Sequence, residues 1–94
     1  MNKLVLNVSS EALSDLEKIW VYTCEKWSKE QADRYYSLLI EEIQFLQSNY
    51  NTGKSAEYIR TGYRVSFVKS HILFYKIVDD QKLEIIRILH QSVN

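Results

Sequence analysis

The chain has no proline, two glycines and one cysteine. With no proline, internal repeat or low-complexity tract, nothing in it marks a second domain. Gly53 and Gly62 stand alone, which rules out a Gly-rich phosphate-cradling loop. Lone Cys24 permits no internal disulfide, and the opening MNKLVLNVSSE lacks the apolar run of a secretory signal, so a reducing cytoplasm is the expected compartment. No apolar stretch is long enough to span a bilayer. Twelve basic and twelve acidic residues cancel, which removes the global positive field behind tight nonspecific nucleic-acid binding. Metal-type Cys/His spacing and nucleophile motifs are missing too, so no cofactor and no metal are expected.

What is present is a core. Ninety-four residues with 46% hydrophobic and 13% aromatic content suffice for one compact domain over residues 1–94. The charge balance hides an asymmetry. Residues 1–53 hold five basic and eight acidic side chains, residues 54–94 seven basic and four acidic; a basic second half suits an acidic partner, and ordinary charge scatter on solvated faces is the alternative reading.

Leu4 to Val8 is a short β-prone segment, followed by Ser9-Ser10, either of which can cap a helix. Leu13, Leu16, Ile19, Trp20, Cys24 and Trp27 recur at three- and four-residue spacing, which predicts a helix with an apolar stripe and Cys24 in its packing. Ser28-Lys29-Glu30-Gln31 has the form of a capping box, in which Gln31 bonds back to Ser28. The second helix it starts shows an apolar face of Ala32, Tyr35 or Tyr36, Leu39, Ile43 and Leu46, and the short connection makes the pair an antiparallel hairpin. Ser48 to Ser55 is polar and reads as an exposed loop. Beyond it the period becomes strand-like: a short edge strand over Glu57 to Arg60, a turn at Thr61-Gly62, then strands over Tyr63 to Val68, His71 to Val78 and Leu83 to Leu89. The predicted fold is α+β, two-layered, β-α-α-β-β-β(-β), with the helical hairpin covering one face of an antiparallel sheet.

The last three strands raise a question, because Arg64, His71, Arg87 and His90 lie within otherwise apolar runs. A tight turn at Lys69-Ser70 sets Val68 opposite His71, Val65 opposite Phe74 and Arg64 opposite Tyr75. A three-residue loop Asp79-Asp80-Gln81 sets Lys76 opposite Glu84, whereas a two-residue loop would drive Arg87 under the helices. Alternation then assigns Val65, Phe67, Ile72, Phe74, Ile86 and Ile88 to the helix side, and Arg64, Ser66, His71, Tyr75 and Arg87 to the bare side. His90 falls at the end of the last strand, in helix-side register, or just beyond it where its direction is free. The expected binding surface is therefore a polar, cationic sheet face, with Arg60, Arg64, His71, Tyr75, Arg87 and His90 as its candidates. The bland alternative is the ordinary solvated side of an antiparallel sheet.

Several segments carry a resemblance. The helix pattern DLxxIWxYxxxxW at Asp15 to Trp27, QA at Gln31-Ala32, GYR at Gly62 to Arg64, HxxFY at His71 to Tyr75 and RILH at Arg87 to His90 together resemble the ParE toxins of the ParE/RelE superfamily. The resemblance implies the RelE-like fold and a toxin that binds DNA gyrase and traps its cleavage complex without acting as a catalyst. It also implies a ParD-like antitoxin partner, contact with nucleic acid only through gyrase or the antitoxin complex, and no role at a membrane. The competing class is the RelE branch, ribosome-dependent mRNA endonucleases that use basic residues for acid–base work and phosphate stabilisation. Against it stand Ile72 after His71 where several such nucleases place arginine, the C-terminal QSVN without a terminal tyrosine, and the zero net charge. A degenerate toxin kept for antitoxin binding is a third possibility.

Overall fold

The computed structural model describes residues 3–92. Strand β1 (Val5–Val8) leads into helix α1 (Ser10–Lys26), helix α2 (Lys29–Ser48) and a 3₁₀ turn over Tyr50–Thr52. Then follow β2 (Lys54–Ser55), β3 (Arg64–Val68), β4 (His71–Val78) and β5 (Lys82–His90). The five strands form one sheet in the order β1-β5-β4-β3-β2. It is antiparallel from β2 to β5, as the hairpin pattern predicts, and gains one parallel pair where β1 joins β5.

Side-chain caps start both helices. Ser9 Oγ accepts the Ala12 N–H at 3.0 Å and Ser28 Oγ accepts the Gln31 N–H at 3.0 Å. The reciprocal half of the capping box does not form, because the Gln31 amide oxygen takes a bond from Arg34 instead. α2 buries Ala32, Leu39, Ile43 and Leu46, the face its spacing predicts, with Tyr35 the partly buried tyrosine. α1 buries Ala12 and Leu16, but Leu13 and Trp27 are exposed. The two ends of the expected stripe thus project from the molecule. Trp20 Nε1 donates to Asp33 across the hairpin at 2.9 Å.

No strand forms over Glu57 to Arg60. Ala56 instead pairs with the Tyr63 carbonyl and accepts from Ile59 and Arg60, closing a turn segment. Gly62 adopts φ +84° there and donates to the Glu57 carboxylate. The edge strand is the two-residue β2, drawn from the segment expected to be loop.

The β3–β4 register follows the tight-turn prediction, with Val68 opposite His71 and Arg64 opposite Tyr75, and Lys76 lies opposite Glu84 across the three-residue loop. The predicted faces are reversed on β3 and β4, whereas on β5 Ile88 lies on the helix side and Arg87 on the other, as predicted. The helices cover Leu73, Tyr75, Ile77, Leu83, Ile85 and Ile88, while Phe67 is 52% exposed and Ile72 and Phe74 are only partly covered. Both faces of this sheet are apolar, so alternation could not select between them. The selected face carries more large aliphatic side chains, and each polar residue on it finds a partner: Ser66 binds Glu42, His71 binds Tyr35, and Tyr75 binds the 3₁₀ turn.

A β-bulge then decides where Arg87 goes. Tyr75 pairs with Ile85 but Phe74 pairs with Arg87, leaving Ile86 as the extra residue. An unbroken ladder would set Arg87 opposite Leu73, under the helices. The inserted residue moves it to the Phe74 side and brings Ile88 opposite Leu73 into the core.

Candidate functional site

The six candidate residues do not form one surface. Tyr75 is fully buried; its hydroxyl donates to the Tyr50 carbonyl at 2.6 Å and accepts the Gly53 N–H at 3.1 Å. A Cβ on Gly53 would sit 2.1 Å from that hydroxyl and 2.7 Å from the Val65 carbonyl, so only glycine fits. Arg64, opposite Tyr75, turns its guanidinium onto the carbonyls of Asn51 and Gly53. Arg64 and Tyr75 thus lock the 3₁₀ turn onto the sheet. Arg60 is exposed in the turn segment.

Arg87 is spent differently. β1 pairs with β5 only as far as Ile85, and beyond it the edge of β5 is finished by side chains of the α1 region. Ser9 Oγ donates to the Ile86 carbonyl at 2.7 Å, and the Asp15 carboxylate accepts the Ile88 N–H at 2.9 Å. Arg87 closes on the same carboxylate through Nε at 2.8 Å and a terminal nitrogen at 3.0 Å. Burial pushes the Asp15 carboxyl up, but the Arg87 bonds, the Ile88 N–H and the charges of Arg87 and Lys18 outweigh it and hold it below the usual carboxylate value. Asp15 therefore stands in for a missing strand neighbour, and Arg87 neutralises it. Asp15 carried no signal of this role in the sequence beyond its place in the helix pattern.

His71 and His90 do meet. They are cross-strand partners with ring centroids 5.2 Å apart, edge to face. His71 Nδ1 lies 2.6 Å from the Tyr35 hydroxyl, and His90 Nδ1 is held by Ser92. Burial, followed by the charge of His90, pulls the His71 pKa below its usual value, with Asp15 opposing. The pair opens on a groove of about 800 Å³ between α1, the start of α2 and the ends of β4 and β5. Tyr22, 61% exposed, and Trp27, 72% exposed, line it. Sequence reading missed this groove because Trp27 was assigned to the core stripe. A second, smaller groove lies between α2 and β3, flanked by Glu41, Glu42 and Phe67.

The bare sheet face is thus not the cationic platform expected. It presents Phe67, Ile72 and Phe74, with Lys54 over the Phe67 ring and the Lys76–Glu84 pair. Among the described residues no cluster of three or more His, Cys, Asp or Glu side chains could hold a metal ion. No helix among them is long and apolar enough to cross a membrane.

Comparison with known proteins agrees with this architecture. The family model described as "ParE toxin of type II toxin-antitoxin system, parDE" matches residues 6–94. Toxin ParE1 of Caulobacter vibrioides is 38% identical over 87 residues, covering 93% of this chain and 88% of that protein. Toxin ParE1 of Mycobacterium tuberculosis is 33% identical over 87 residues, covering 93% and 89%. Among solved structures, a chain of the chromosomal ParDE TA system from P. aeruginosa superposes with a TM-score of 0.82, covering 94% of this chain and 96% of its own at 19% identity. A chain of the RelBE2 toxin–antitoxin complex of Mycobacterium tuberculosis gives 0.74, covering 98% and 95% at 19% identity. These two likenesses are of fold, the RelE-like α+β arrangement. The match along nearly the whole length, at the level of family model and of sequence identity, makes this chain a member of the ParE toxin family of type II toxin–antitoxin systems.

Proposed function

We propose that this protein arrests growth in the bacterial cytoplasm by binding DNA gyrase and trapping its cleaved-DNA complex, and that a ParD-like antitoxin neutralises it. Family membership supports the class of target and partner. One structural observation favours binding over RNA cleavage: three of the side chains a nuclease could use are already committed. Arg87 is closed on Asp15, Arg64 on loop carbonyls, and Tyr75 is buried against the 3₁₀ turn. A cation that stabilises a phosphorane, or a phenol that moves a proton, must reach the scissile phosphate, and these three serve the fold. The exposed aromatic and aliphatic side chains Tyr22, Trp27, Tyr58 and Ile59 supply the kind of surface that anchors a protein partner.

The decisive experiment is inducible expression without antitoxin, with purified protein then added to a gyrase supercoiling assay and to a translating ribosome extract. Inhibited supercoiling with accumulated cleavage complex is the expected result. Ribosome-dependent mRNA cutting with gyrase unaffected would replace this reading with the RelE-type one. Unimpaired growth in cells holding folded protein would mark a toxin kept for antitoxin binding alone.

A further inference from the structure

The groove beside α1 has an uneven charge inventory. Among the described residues Asp15 is the one carboxylate in its wall, and it is already taken by Arg87. Lys18 and Lys26 line the same groove and form no ion pair among the described residues. An apolar trough with uncommitted cations suits an apolar segment that carries carboxylates. At its sheet end sit His71 and His90.

Hydrogen bonds fix how these two rings handle protons. The Ser92 backbone N–H can only donate, and it lies 3.1 Å from His90 Nδ1. That nitrogen is therefore the bare one, and neutral His90 carries its hydrogen on Nε2. His71 Nδ1 faces the Tyr35 hydroxyl, which also lies 3.3 Å from the Val68 carbonyl oxygen. With His71 neutral and Nδ1 bare, the hydroxyl donates to the ring. With a hydrogen on Nδ1, the ring donates to the hydroxyl, which swings its own hydrogen to Val68. A proton can enter His71 without orphaning any group around it. In the free chain burial and the charge of His90 lower the His71 pKa and favour the neutral ring, with Asp15 opposing them; Lys18 and Lys26 of the same groove also oppose a further positive charge, and Tyr35 is uncharged.

We propose that the antitoxin segment seated in this groove sets a carboxylate against the His71–His90 pair, and that docking takes up one proton from solvent at His71. The imidazolium then pairs with the incoming carboxylate, and Tyr35 passes from donor to acceptor. This rests on the antitoxin reading above and adds to it a regulation: the toxin is held more tightly as pH falls from about 8 towards 6, where histidine titrates.

The test is isothermal titration calorimetry of the chain with its ParD-like antitoxin, in two buffers of different ionisation heat, across that range. The expected result is uptake approaching one proton, with Kd tightening by up to tenfold per pH unit. His71→Gln, checked for folding by circular dichroism, should still form the complex but lose the uptake and the pH slope. Tyr35→Phe removes the acceptor for the His71 hydrogen and should move the uptake to lower pH. A complex that forms without proton uptake, or uptake that persists in His71→Gln, overturns the proposal and leaves the antitoxin reading standing. Failure to form a complex at any pH overturns both.

Discussion

Removing Asp15 tests the claim that a helix side chain completes the sheet edge. In Asp15→Ala the Ile88 N–H, on a residue only 2% exposed, loses its acceptor. A buried donor left unpaired costs about 1–3 kcal/mol. The Arg87 ion pair adds less, because the Arg87 side chain is 44% exposed and can return to water, so its share is about 0–1 kcal/mol. The total is about 1–4 kcal/mol, a drop in Tm of roughly 4–32 °C for a chain of this size. Arg87→Ala keeps the Asp15–Ile88 bond and should cost about 1–2 kcal/mol, mostly from leaving the carboxylate short of a partner. Asp15→Asn can still accept from Ile88 and should fall between wild type and Asp15→Ala. The assay is urea unfolding followed by circular dichroism, with all four proteins compared at neutral pH. If Asp15→Ala loses no more than Arg87→Ala, the backbone contact is worthless, and the view of Asp15 as a surrogate strand is refuted.

The same carboxylate gives an acid dependence. Its folded pKa lies below an unfolded value of about 3.9, so its stabilisation is complete above that value and is lost as pH falls through the lower, folded one. Between about pH 5 and 2 the stability of wild type should therefore fall more steeply than that of Asp15→Asn, and parallel curves would refute the assignment. At the other end of the sheet, Gly53→Ala forces a Cβ against the Tyr75 hydroxyl and the Val65 carbonyl, and should cost about 1–3 kcal/mol by overpacking. Tyr75→Phe strands the Gly53 N–H and the Tyr50 carbonyl at a similar cost of about 1–3 kcal/mol; but it also removes the oxygen that a Gly53 side chain would strike. The double variant should therefore be less unstable than the sum of the two losses, and strict additivity in thermal melts would count against the contact.

The helical hairpin was legible because α2 writes its buried face at regular spacing, Ala32, Leu39, Ile43 and Leu46, between two unmistakable interruptions, Ser28 and Ser48 to Gly53. The β3–β4 register was legible because a two-residue turn leaves only one way to zip the hairpin. The candidate site was less so. Reading Arg64, His71, Tyr75 and Arg87 as one cationic face assumed that polar side chains in strands face water, whereas Arg64, His71 and Tyr75 point towards groups supplied by α2, the 3₁₀ turn and the Gly53 that follows it, between 11 and 36 residues away in the chain. Nor did the division into an acidic and a basic half survive folding as a guide. The groove lysines without an ion pair among the described residues, Lys18 and Lys26, come from α1 in the acidic half.

Periodicity, caps and turn lengths are local quantities, and through them the sequence alone determined the element order, the hairpin pairings and, by its scattered motifs, the toxin family. Which sheet face meets the helices, and where each cation ends, depended on tertiary structure, because both faces were greasy enough to bury. The choice fell to the bulge at Ile86 and to partners such as Asp15, Tyr35 and Tyr50. Burying a polar side chain is affordable only once its partner has been brought alongside, and that is decided by the assembled chain.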